Sequence, residues 1–262
     1  MNKDKNSIIV LGAYGTEAKG FGTSSFFLNE KNLIDAGNIV NTLEEKSALI
    51  ENLWISHSHL DHIVDIAYIL DNYFTKRQKP LRIVALAETI DAIKKHYLND
   101  IIWPDFSKIY LENQKIMAVE YIELELGKTY SLSKNEKIRA FQTDHTVASC
   151  GYIYTKDENS VLITADTYSL KTMLHEIETD LSIKSIVVEC SFPSNLQNLA
   201  KESKHLTPKI LFEMLKSLKR DDISLYINHI KPSYLKDIMS EIEQYRGKWM
   251  PKVLKDGDFV KF

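Results

Sequence analysis

Three imidazoles and a carboxylate fall within six residues, His57-Ser58-His59-Leu60-Asp61-His62. No other stretch restricts the chain as much. Leu53-Trp54-Ile55 before it is an apolar run of strand character, and Ile63, Ile66, Ala67, Leu70 and Phe74 after it recur at helical spacing. The hexapeptide is therefore expected on a loop between the C-terminal end of a strand and the N-terminus of a helix. His and Asp are donors that Zn²⁺, Mn²⁺ and Fe²⁺ accept. The alternate residues His57 and His59 can face one ion, and Asp61 with His62 can reach a second beside it. Histidines that merely capped a helix would leave this density unexplained.

The other chemistry-bearing residues also fall where strands end. A strand over residues 138–143 leads to His145, and a hairpin of 152–154 with 161–164 leads to Asp166. A strand over 185–189 ends on Glu189, and one over 223–228 runs into His229. In α/β sheets the C-terminal ends of strands are where ligands collect. His205-Leu206-Thr207-Pro208 opens a helix, with Thr207 as N-cap and Pro208 at the first helical position. His96 and His175 lie among charged residues of helices and read as solvated. The glycine-rich segment 12–23 is a loop, but no Gly-Lys-Ser/Thr follows, so it is not a phosphate-cradling P-loop. Residues 25–28 and 33–35 form a hairpin with its turn at Asn29-Glu30-Lys31-Asn32, and Asp35-Ala36-Gly37 ends the second strand, where Asp35 is read as a turn residue and not as a ligand. Residues 38–52 look helical, and 252–262 looks like a final hairpin. Trp103 and its neighbours could wall a pocket or fill a small apolar cluster beneath a loop.

Strands and helices alternate without a linker or repeat, which points to one α/β domain over residues 1–262. A net charge of −3 disfavours a nucleic-acid surface. Cys150 and Cys190 are the only cysteines, as expected of a reducing compartment without a disulfide framework. No apolar run has the length of a membrane span, and the N-terminus does not read as a signal peptide, so a cytoplasmic protein with no membrane partner is expected. A homodimer is the base-rate expectation for its assembly.

The order of His57-Ser58-His59-Leu60-Asp61-His62, His145, Asp166 and His229 resembles the metallo-β-lactamase fold superfamily over nearly the whole chain. That resemblance implies a four-layer αββα sandwich with two divalent ions at one edge of the facing sheets. It implies His57, His59 and His145 as ligands of one ion, Asp61, His62 and His229 as ligands of the other, and Asp166 as the bridge. Leu11-Gly12-Ala13-Tyr14-Gly15, Gly22-Thr23-Ser24-Ser25-Phe26, Leu33-Ile34-Asp35-Ala36-Gly37, Trp103-Pro104-Asp105-Phe106, Ser149-Cys150-Gly151-Tyr152 and His205-Leu206-Thr207-Pro208 narrow the likeness. Together they resemble the class II 3′,5′-cyclic-nucleotide phosphodiesterases.

That family implies a small-molecule substrate, cyclic AMP or cyclic GMP, opened to the 5′-nucleotide by a metal-bridged hydroxide. His205 is the candidate general acid for the departing 3′-oxygen, Glu189 is placed to orient it, and Asp61 belongs to the catalytic set. Zinc is the first choice of ion from the donor types, with manganese and iron sharing them. The rival readings are an RNase Z-like nuclease of the same fold and a thioester or lactam hydrolase similar to glyoxalase II. The first would want a long basic or Gly-rich arm, and the second places no demand for a proton donor such as His205.

Overall fold

The computed structural model describes residues 6–112 and 115–262. In chain order the strands are β1 (Ser7–Gly12), β2 (Ser25–Asn29), β3 (Asn32–Ile34), β4 (Asn52–Trp54), β5 (Leu81–Ala85), β6 (Val119–Glu123), β7 (Thr129–Ser131), β8 (Glu136–Gln142), β9 (Cys150–Lys156), β10 (Asn159–Ile163), β11 (Ile183–Glu189), β12 (Ser224–Asn228), β13 (Lys252–Val253) and β14 (Phe259–Lys261). They form two seven-stranded sheets, ordered β14-β1-β2-β3-β4-β5-β6 and β13-β12-β11-β10-β9-β8-β7.

Period-2 alternation explains why the sheets face each other. Ile8 and Val10 of β1 point into a core shared with Tyr152, Tyr154, Val161, Ile163 and Val187 of the other sheet. Their neighbours Ile9 and Leu11 pack outward beneath the helices Asp65–Tyr73 and Ala87–His96. In the second sheet Leu162, Ile186 and Val188 turn outward to the helices Lys171–Thr179, Pro208–Leu215 and Leu235–Tyr245. Three apolar interfaces therefore separate four layers, helix, sheet, sheet, helix. With both faces covered, these strands read as continuous apolar runs.

Two expectations are corrected. Residues 38–52 are not one helix: Val40–Leu43 is a single turn, and Glu44, at φ 49°, turns the chain into a 3₁₀ stretch before β4. Residues 252–262 are not a hairpin. β13 runs parallel to β12, whereas β14 pairs antiparallel with β1 in the opposite sheet. Leu254 and Val260 are drawn into the core between the sheets. Asp256 in the crossing loop accepts Ala13 N and Gly22 N, which pins the glycine-rich loop to the sandwich edge.

The aromatic insert takes the second of its two readings. Phe106 is buried against Phe74, and Trp103 meets Tyr68 edge-on at 6.0 Å, under the first helix layer. Among the described residues no helix is long and apolar enough to cross a membrane.

Candidate metal centre

Five loops deliver the site, each leaving the C-terminal end of a strand. β4 leads to His57, His59, Asp61 and His62, with the helix Leu60–Ile63 starting inside the motif. β8 leads to His145, β10 to Asp166, β11 ends on Glu189, and β12 leads to His229. Two of these loops use backbone that side-chain-bearing residues seldom adopt. Ala165, just before Asp166, has φ 51°, and His229 itself has φ 59°. Such conformations cost on the order of 1–3 kcal/mol each and persist where the surrounding packing enforces them.

The structure brings together all seven residues named as ligands. His57, His59, His145 and Asp166 form one group of converging donor atoms, and Asp61, His62, Asp166 and His229 form a second, with Asp166 common to both. In the first, His59 Nδ1 is 3.1 Å from His57 Nε2 and 3.0 Å from His145 Nε2. In the second, His62 Nε2 is 3.2 Å from His229 Nε2, and Asp61 Oδ2 lies 3.3 Å from His229 Nε2. Asp166 Oδ2 is 3.6 Å from His57 Nε2 and 3.4 Å from His62 Nε2, while Oδ1 is 3.2 Å from His229 Nε2. Nitrogens bound to one tetrahedral ion at ~2.0–2.1 Å sit ~3.3 Å apart, so these spacings match the edges of a coordination shell.

The outward ring nitrogens explain why the inner ones point inward. His62 Nδ1 lies 2.7 Å from Asp35 Oδ2, His57 Nδ1 3.0 Å from Ser56 Oγ, His145 Nδ1 3.1 Å from Lys204 O, and His229 Nδ1 3.0 Å from Ser191 Oγ. A ring that donates its Nδ1–H outward turns the Nε2 lone pair into the site. At 3.2 Å the Nε2 atoms of His62 and His229 are close enough to share one ion once both rings are neutral. Asp166 Oδ1 is buried and has no hydrogen-bond partner, the condition of a carboxylate oxygen shaped to meet an ion. The His/Asp cluster is thus the donor set of a divalent-metal site, and the residues present fit that group.

Electrostatics agree with the geometry. Burial pushes the imidazolium forms of His57 and His59 down, and that of His145 down to about 4, so these rings are neutral and able to ligate at pH 7. Burial opposes charge on His62 as well, but Asp166, Asp35 and Asp61 outweigh it and hold its pKa well above the imidazole range. Burial also works against the Asp166 carboxylate, yet His229, His62 and His57 keep it ionised far below the usual carboxylate value.

Asp35 is a correction. It does adopt a left-handed turn conformation, φ 58°, but its carboxylate is buried and reaches beyond the turn. It accepts Ser56 N and Ser56 Oγ, both at 2.8 Å, as well as meeting His62. The residue that makes the turn thus also holds the histidine loop through its carboxylate.

Glu189 and His205 meet beside the second group. Glu189 is fully buried; its Oε1 lies 3.0 Å from His205 Nδ1, and its carboxylate also accepts Thr167 N and Leu206 N. Burial lowers the His205 pKa, but Glu189 and Asp166 overcome it and raise the value above the ordinary one. Thr207 caps the following helix by accepting Ile210 N, which fixes the approach of His205. A cleft of about 410 Å³ opens over the cluster, lined in part by His59, Asp61, Asp166 and His205.

A family model, the class-II cAMP phosphodiesterases, matches residues 2–245. The chain belongs to that family. It is accordingly a metal-dependent phosphodiesterase, a hydrolase. A relative named "Probable 3′,5′-cyclic-nucleotide phosphodiesterase" from Yersinia pestis is 26% identical over 240 residues, covering 81% of this chain and 68% of the relative. The crystal structure of unliganded yeast PDE1 superposes with a TM-score of 0.82 at 17% identity, covering 98% of this chain and 99% of that one. The metallo-beta-lactamase fold protein YhfI from Bacillus subtilis gives 0.73 at 18% identity, with 98% and 100% covered. These likenesses establish the four-layer fold of the metallo-β-lactamase type.

Sequence reasoning passed over three residues of the phosphodiesterase site. Ser56 bridges Asp35 to His57. Ser191 Oγ touches Glu189, His205 and His229, within 3.1 Å of each. Lys231 lines the cleft. Each immediately precedes or closely follows a residue already singled out, and that adjacency was the available signal.

Proposed function

We propose that this chain is a binuclear-metal phosphodiesterase that hydrolyses 3′,5′-cyclic nucleotides, cyclic AMP or cyclic GMP, to 5′-nucleotides. The observation that carries the reading is the pair of donor groups joined at Asp166, with the Glu189–His205 pair alongside. His57, His59 and His145 would hold one ion, Asp61, His62 and His229 the other, and Asp166 both. Zinc suits these donors best. When bound, the ions supply Lewis acidity for the phosphoryl oxygens and for the attacking water.

The chain's own residues carry the remaining tasks. Glu189 accepts the Nδ1–H of His205, which leaves Nε2 as the proton-bearing atom for substrate in the cleft. The Glu189 carboxylate beside the ring favours its protonated form. Protonating the 3′-oxygen as the P–O bond breaks spares the reaction a poor alkoxide leaving group, a contribution of roughly 10²–10⁴-fold. Burial of His57, His62, Asp166 and Glu189 keeps bulk water from competing for these hydrogen bonds.

A panel of cyclic AMP, cyclic GMP, bis-p-nitrophenyl phosphate, S-lactoylglutathione and nitrocefin, run with and without chelator beside metal analysis, tests the reading. Chelator-sensitive turnover of a cyclic nucleotide with two metal equivalents per chain is expected. Turnover of the thioester or lactam alone would overturn it.

A further inference from the structure

The loop that supplies His229 goes on to place a cation over the same cleft. The left-handed turn at His229 directs Ile230 and Lys231 back across the site, where Gly15 N donates to Ile230 O and Lys231 Nζ donates to Gly15 O at 3.0 Å. Lys231 also stands over the Phe192 ring, 5.3 Å from its centroid. Lys231 is half-buried and lines the 410 Å³ cleft with Glu17, His59, Asp61, Asp166 and His205. It is close enough to His205 for its charge to oppose protonation of that ring.

What distinguishes Lys231 is the partner it lacks. Lys204, near His145, spends its charge on Asp144 at 2.6 Å. Among the described residues no carboxylate lies within 4 Å of Lys231 Nζ, and no other lysine or arginine lines this cleft. An ammonium has three donors; one goes to a neutral carbonyl and a ring face steadies the stem. Two N–H groups of the ammonium are left over on a side chain that lines the cleft, whose acidic lining residues are Glu17, Asp61 and Asp166. A half-buried cation held this way suits an anion brought in from outside.

We propose that Lys231 binds a phosphoryl oxygen of the substrate and of the product, the ligand class being phosphate mono- and diesters. This deepens the phosphodiesterase reading above and rests on it. The diester carries one negative charge and the monoester formed by hydrolysis carries nearly two at neutral pH. Attraction to a fixed cation therefore grows along the reaction, the condition for an interaction that speeds turnover as well as tightening binding.

The test compares metal-loaded wild type with Lys231→Met, Lys231→Gln and Lys231→Arg. Inorganic phosphate is titrated by calorimetry, and kcat and KM for cyclic AMP and metal content are measured in parallel. Metal content should be equal in all four. Phosphate affinity should fall about 10- to 100-fold in the Met and Gln variants, the loss expected for one charge-assisted hydrogen bond, and stay within several-fold of wild type in Arg. Gln can still donate toward Gly15 O but has no charge, so a Gln variant binding phosphate like wild type would overturn the proposal and leave Lys231 as a loop tether. A Met variant within about twofold of wild type would overturn it as well. Lysine-dependent phosphate binding without turnover of any cyclic nucleotide would support Lys231 and count against the substrate assignment alone.

Discussion

Replacing Asp35 with Asn separates a turn residue from a metal-centre residue. Asn tolerates φ 58° about as well as Asp does, so the local backbone should survive. The charge and one acceptor do not. Asp35 receives three polar contacts, from Ser56 N and Ser56 Oγ at 2.8 Å and from His62 Nδ1 at 2.7 Å. An amide can serve Ser56 N with its oxygen, but its NH₂ then faces Ser56 Oγ and His62 Nδ1 as a donor. His62 must move or take the tautomer with its proton on Nε2, the atom turned toward His229. Losing the carboxylate that orients a ligating imidazole typically costs 10–100-fold in metal affinity, about 1.4–2.8 kcal/mol. The loss should fall on the ion held by Asp61, His62 and His229, because His57 keeps its own contact with Ser56 Oγ. Competition against a chromophoric chelator, resolved into tight and weak equivalents, measures it. Two equivalents bound with wild-type affinity would refute the reasoning and return Asp35 to its turn.

Changing His205 to Ala should lower turnover of cyclic nucleotide by about 10²–10⁴-fold with metal content unchanged; undiminished activity would remove it as the proton donor. A Cβ on Gly15 would lie 2.6 Å from His229 O and 2.7 Å from His229 Nδ1, so Gly15→Ala should displace that ligand and destabilise the protein by about 1–3 kcal/mol in chemical denaturation. In metal-free protein the three carboxylates around His62 outweigh its burial and favour the protonated ring, and ion uptake must displace that proton. Zinc titrations in two buffers of different ionisation enthalpy should therefore give different apparent heats, and identical heats would show the ring already neutral. The same shift sets a stability trend. The folded pKa of His62 exceeds the unfolded value of ~6.5, so its contribution is fully present below that pH and fades as pH rises through the folded value. His145, held near 4 by burial, acts oppositely and weakens the metal-free protein as pH falls from ~6.5 toward about 4. Melting the His145→Gln variant beside wild type across that interval should show a shallower acid loss.

The residues legible in advance were those whose chemistry and neighbours lie close in sequence. His57 to His62 form one short loop after an apolar run, and His145, Asp166 and His229 each follow a strand that alternation and apolar content reveal. Thr207 and Pro208 announced the helix start beside His205 for the same reason. Asp35 was read as a turn because its local context is a turn; the partners that redefine it, Ser56 and His62, are 21 and 27 residues away. Ser191 looked like an ordinary loop residue until β11, β12 and the loop before Pro208–Leu215 converged on it. Lys231 and Gly15 are 216 positions apart. The C-terminal strands were mistaken for a hairpin because closeness in sequence says nothing about which sheet a strand joins.

The sequence by itself determined the strands that carry the site, the donor types and the order in which strand ends present them, since side-chain alternation and the clustering of His with Asp are properties of short segments. Tertiary structure alone decided which carboxylate, hydroxyl or carbonyl holds each imidazole, which oxygen of Asp166 is left without a hydrogen bond, and where an ammonium lines the cleft. Those outcomes depend on how two sheets stack and which loops meet at their shared edge, and that is set by burying apolar surface across the whole chain at once.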